Sequence, residues 1–208
     1  MNKLFKITTM LGISLISISA FSQSKVKMNL YYNYASPMGS LKNDFINKGS
    51  AYGFGADIMY SFNPKWAVGG SVAYQDFYQK YPRATYKLAD GSDISAVLSN
   101  SLQSTPIMAK TIFSPLGDKA SVVQPYLSAA AGMNILNYSQ LLGEFNGGDG
   151  TSARFIAQAG AGIKIPVGKA RSTGILLGAN YNYSPYNKFG IKNANSLNYQ
   201  AGVQFNLK

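Results

Sequence analysis

Residues 197–207 alternate without a break, and this alternation limits the possible folds more than any other feature of the chain. Leu197, Tyr199, Ala201, Val203, Phe205 and Leu207 fall on one face of an extended strand, with Asn198, Gln200, Gly202, Gln204 and Asn206 on the other. The polar face carries no charge. A strand lying on a water-soluble core normally sends Lys, Glu or Thr outward. Gly, Asn and Gln instead suit a narrow, hydrogen-bonded barrel interior, which leaves the apolar face for lipid.

The same period recurs upstream and brings the expected strand count to eight. Val26, Met28, Leu30, Tyr32 and Tyr34 oppose Lys27, Asn29, Tyr31 and Asn33. Tyr52, Phe54, Ala56, Ile58, Tyr60 and Phe62 oppose Gly53, Gly55, Asp57, Met59 and Ser61, and a third strand resumes at Trp66 after the turn Asn63-Pro64-Lys65. A fourth strand is expected over about residues 102–113, with Lys110 facing in. The fifth runs to about 134 with Pro125, which cannot donate to a ladder, near its start. Strands over 154–165, with Arg154 and Lys164 inward, and over 174–183 complete the set. Residues 36–50, 76–101, 135–152 and 184–196 read as long loops, the second with a short helical piece around 94–98. Connections therefore run long, short, long, short, long, short, long. That order is expected when both ends of the sheet lie on one side and every second connection crosses to the other. It also sorts the aromatic residues into two girdles. Phe62, Trp66, Phe113 and Phe205 collect at the rim of the short turns, and Tyr32, Tyr34, Tyr52, Tyr74, Tyr181, Tyr183 and Tyr199 toward the rim of the long loops.

Lys3 and Lys6, the apolar run 10–21 and the small residues before Gln23 have the form of a secretory signal peptide over residues 1–22, cleaved after Ser22. The apolar run is shorter than the roughly 20 residues that a spanning helix requires. Residues 23–208 are then expected to form one barrel domain. Removing the two leader lysines from 19 basic residues leaves 17 against 8 acidic ones, a net charge of about +9. These charges are dispersed and form no basic run, which argues against nucleic acid. Charged residues make up 13% of the chain, against roughly 25% in soluble domains, as fits a protein partly solvated by lipid.

Gln200-x-Gly202-x-x-Phe205-x-Leu207 resembles the C-terminal assembly signal of bacterial outer-membrane barrels, with Lys208 as an added last residue. Together with the strand pattern over 26–207, the chain resembles the small eight-stranded outer-membrane β-barrels, the group containing the outer-membrane protein A barrel, protein X and protein W. The resemblance implies an all-β, closed, antiparallel, eight-stranded transmembrane barrel in the cell outer membrane, with both termini and the short turns periplasmic and the long loops extracellular. It implies outer-membrane lipid and lipopolysaccharide as surroundings, the barrel-assembly machinery as a partner, and a monomer. The alternative fold is a secreted lipocalin-type barrel whose apolar face would point inward at a ligand.

Lipid-modifying barrels use a histidine with a serine and a carboxylate. This chain has no histidine, so an enzyme is not expected. Without histidine or cysteine, no zinc or haem ligand set is available, and no cofactor is expected. Residues 144–150, Asp90 and Asp93 lack both the Gly-Lys-Ser/Thr of a phosphate loop and the alternating carboxylates of a calcium loop, and read as exposed loop tips. The inward charges Lys27, Asp57, Lys110, Arg154 and Lys164 could line an anion-preferring passage or form a polar network that plugs the lumen. Tyr78, Lys80, Tyr81, Arg83, Tyr86 and Lys87 are the candidate contact residues, a mixture suited to anionic sugars or lipid headgroups. The expected function is a non-enzymatic envelope protein displaying its loops; the alternative is a narrow porin-like channel.

Overall fold

The computed structural model describes residues 25–87, 91, 93–117, 123–167, 173–188 and 190–207. The expected leader and Asp90 lie outside them. Eight strands form the barrel: β1 (Val26–Pro37), β2 (Ser50–Ser61), β3 (Trp66–Lys87), β4 (Asp93–Phe113), β5 (Gln124–Leu142), β6 (Phe145–Val167), β7 (Thr173–Tyr183) and β10 (Ser196–Asn206). Between β7 and β10, a small hairpin of β8 (Pro185–Lys188) and β9 (Ile191–Asn193) stands outside the ring. A single π-helical turn, Leu41–Phe45, follows β1.

Every pairing in the ring is antiparallel, in the order β1-β10-β7-β6-β5-β4-β3-β2. The ring closes where β1 meets β10, from Lys27↔Asn206 to Pro37↔Ser196. Closure matters because hydrocarbon offers no water to an unpaired N–H or C=O, so a spanning sheet cannot keep a free edge. Side chains alternate as the sequence requires. Leu30, Tyr32, Tyr52, Phe54, Ile58, Val68, Val72, Ile107, Leu127, Met133, Ile175, Leu177 and Val203 are exposed on the outside, and Asn29, Tyr31, Asn33, Asp57, Met59, Lys110, Asn180 and Gln204 are buried inside. So continuous an apolar exterior would be an aggregation hazard in water and is the expected surface in a bilayer. At the short-turn rim Trp66 and Phe113 pack with centroids 4.7 Å apart, and at the other rim Tyr34 and Tyr199 lie 6.4 Å apart.

On the long-loop side the strands run further than the alternation of the sequence implies. Much of 76–101 is strand, because β3 continues to Lys87 and β4 already begins at Asp93. Residues 94–98 are extended, paired with β3, and contain no helical piece. Likewise β5 reaches Leu142 and β6 starts at Phe145, so 135–152 is a hairpin turning at Gly143. Residues 184–196 contain the β8–β9 hairpin. Neighbours supply the physical reason: β2 pairs with β3 only up to Asp76, and beyond that level β3, β4, β5 and β6 continue as a four-stranded sheet. Outside the bilayer neither face of that sheet needs to be uniformly apolar, so the alternation that marks a spanning strand fades although the strand continues.

Candidate functional site

The lumen, with its two mouths, is where the inward charges and the polar faces of the eight strands converge. It is layered. At the end carrying the short turns, an open mouth of about 430 Å³ is lined by Lys25, Lys27, Asn63, Gln124, Lys164 and Asn206. Asn63 shapes one turn at this rim, its Oδ1 accepting from the backbone N–H of Lys65 and of Trp66, both at 2.8 Å.

Deeper in, the sequence-expected charges Asp57 and Lys110 meet. Lys110 Nζ lies 2.8 Å from Asp57 Oδ2, with side chains 4% and 2% exposed. Asn29 Nδ2 donates to the same oxygen at 3.2 Å, and Tyr31 donates its hydroxyl to Asp57 Oδ1 at 3.0 Å. Gln204 Nε2 in turn donates to Asn29 Oδ1 at 2.8 Å, and Ser71 Oγ lies 3.2 Å from the Tyr31 hydroxyl. Both carboxylate oxygens and the ammonium are therefore engaged, as a charge pair in a low-dielectric interior must be to offset its desolvation. Lys110 Nζ also stands 5.4 Å from the Tyr31 ring centroid. Inward glycines make room for this layer: a Cβ on Gly55 would lie 2.5 Å from the Tyr31 ring.

Above the pair, amides and hydroxyls fill the barrel. Ser128 Oγ donates to Asn180 Oδ1 at 3.2 Å, Gln158 Nε2 to Asn182 Oδ1 at 2.8 Å, and Asn182 Nδ2 to Ser196 Oγ at 3.3 Å. The spaces at these two levels measure about 20 and 10 Å³. That is room for one water each at most, and far below the size of any solute.

The far mouth is closed by an apolar cluster that the sequence reading missed. Leu41, Phe45 and Ile46 turn inward from the β1–β2 connection onto Phe77, Leu102, Leu136, Tyr138, Tyr186 and Ile191, all buried. Phe45 stacks on Tyr138 with centroids 4.9 Å apart. Its carbonyl accepts from the Tyr81 hydroxyl and from Asn100 Nδ2, each at 2.8 Å. Burial, and then Tyr86, pushes the Tyr81 hydroxyl above the ordinary phenol range. Ser40 clasps β9: its Oγ accepts from the backbone N–H of Lys192 and Asn193, both at 2.9 Å. Gly39 makes the clasp possible, having φ +59° and a position where a Cβ would lie 2.5 Å from Asn193 Oδ1. The available signal was the apolar spacing Leu41, Phe45, Ile46 inside an otherwise polar stretch.

Other expected residues scatter. Lys27 and Lys164 stand at the short-turn mouth, and Arg154 at the capped mouth beside Tyr186, whose hydroxyl burial pushes up against the opposing effects of Ser152 and Arg154. The contact set separates by strand face: Tyr78 and Lys80 are exposed on the outside, whereas Tyr81 reaches back to the cap. Lys80, Arg83 and Lys87, with Pro82 and a bulge between Lys80 and Arg83, follow a stretch of β3 that β2 does not pair. Charge, proline and a bulge are what keep such an edge from recruiting another strand. Gln200, Gly202, Phe205 and Leu207 lie in or next to β10; Phe205 pairs with Met28 of β1 and Thr173 of β7. Among the described residues, no group of three or more His, Cys, Asp or Glu side chains converges.

The model of a family described as outer membrane protein beta-barrel domain matches residues 8–207. The fold is similar to Neisserial surface protein A of Neisseria, with a TM-score of 0.55 and 20% identity over 88% of this chain and 97% of that one. It is also similar to the outer membrane protein OprG of Pseudomonas aeruginosa, with a TM-score of 0.50 and 11% identity over 88% and 95% of the two chains. No curated protein matches the sequence.

Proposed function

Because the chain belongs to the outer membrane protein beta-barrel domain family and resides in the cell outer membrane, we propose that it is a non-enzymatic display protein whose projecting hairpins make its contacts while the barrel holds them at the surface. The observation that carries this reading is the contrast between a filled lumen and four strands that run on past the girdle. A porin-like passage would need a continuous water column. Here an ion-pair layer and an apolar cap lie in series along the barrel axis. The hairpin end faces outward in this reading, so the exposed Tyr78 and Lys80 stand where tyrosines and lysines meet lipid headgroups and lipopolysaccharide phosphates.

The absence of cysteine makes a direct test possible. Glu144→Cys at the β5–β6 tip should react with a membrane-impermeant maleimide on intact cells, whereas Lys65→Cys should react only after the outer membrane is opened. The reverse pattern would put the hairpins in the periplasm and end the display reading.

A further inference from the structure

The mouth at the short-turn end is a blind funnel. From about 430 Å³ it narrows past Tyr126 and Gln204 to a space of about 50 Å³, and then to about 20 Å³ at the Asp57–Lys110 pair. Its size is that of a small-ligand pocket, and its closed inner end excludes a conducting role. Lys25, Lys27 and Lys164 reach it from the segment before β1, from β1 and from β6, and no carboxylate is among the described residues that line it. Neither Lys25 nor Lys27 makes an ion pair with a described residue, and Asp57 below is already matched by Lys110. Positive charges around one concavity with low-dielectric walls repel one another and focus a field that attracts an anion.

We propose that this mouth is a binding site for a phosphate-bearing anion. Lys25 and Lys27 are point charges suited to a tetrahedral group with charge in several directions. A planar carboxylate is met best by the fork of an arginine, and the described lining has none. Asn63 and Asn206 add amide groups at the rim. Phe62 lines the same mouth while remaining 51% exposed, so the pocket opens against the lipid belt. The phosphate can therefore come from a free phosphorylated solute or from a phospholipid headgroup folded over the rim.

The full protein, refolded in maltoside micelles, is titrated with inorganic pyrophosphate by calorimetry. In parallel, native mass spectrometry compares its retention of phosphatidylglycerol and phosphatidylcholine. Lys25→Gln/Lys27→Gln should weaken binding at least tenfold. Asn206→Asp, which keeps every lysine and adds a counter-charge, should weaken it several-fold; unchanged heat-dependent gel mobility shows that both variants are folded. Pyrophosphate binding lost in the variants supports the site and identifies a free solute as its ligand. Preferential phosphatidylglycerol retention lost in the variants supports it and identifies the headgroup. If neither probe binds, or if both variants bind like the parent, the proposal is overturned.

Discussion

At the scale of single residues, the decisive pair is Asp57 and Lys110. Its net worth to stability is small, because desolvating two charges consumes most of their attraction, but removing one member strands the other. Lys110→Met should destabilise the barrel by about 3–5 kcal/mol in urea unfolding from detergent, and the double variant Asp57→Asn/Lys110→Met should recover most of that loss. If the double variant is as unstable as the single one, the two residues do not act as a pair. Both residues were legible in the sequence as inward charges on alternating strands. Their pairing was not, since it depends on how β2, β3 and β4 are staggered: Asp57 sits opposite Ser71 and Lys110 opposite Gly69. By alternation Gly55 belongs to the polar face, but its structural role is the space it leaves for Tyr31.

At the scale of elements, the cap and the closing strand behave differently. Phe45→Ala removes the side chain that stacks on Tyr138, at a cost of about 3–5 kcal/mol if the cap unfolded with the barrel. The cap is a connection lying over a closed sheet, so the loss should appear as local opening. Protease cleavage and amide exchange should rise within 38–48 while heat-dependent gel mobility stays that of the parent; global unfolding at lower urea would show that the cap is part of the barrel's cooperative unit. For β10, replacing Phe205 and Leu207 with Asn should deplete the protein from the outer membrane and leave processing of the precursor unchanged. Each change also forfeits roughly 1.5–3 kcal/mol of apolar burial, so insertion rate and final stability are to be measured separately. Normal insertion would remove the assembly role. The spanning strands were legible because lipid outside and a polar lumen inside enforce a strict period of two. The stretches of β3 to β6 beyond the girdle, the β8–β9 hairpin and the cap were not, because water accepts either face and the apolar residues of the cap come from segments far apart in sequence.

At the scale of the whole molecule, the barrel is closed around its circumference by β1–β10 pairing and blocked along its axis by two unlike barriers. Opening one would leave the other, so thermal fluctuation of a single side chain does not create a pore. Planar-bilayer recording with the purified full barrel tests this most directly. The expected result is no stable conductance steps above the bilayer baseline, for the parent and for Phe45→Ala alike, because the ion-pair layer remains beneath the opened cap. Stable open channels in the parent protein, altered when Lys110 and Lys164 are replaced by Gln, would contradict the sealed lumen and return the protein to the class of narrow solute passages.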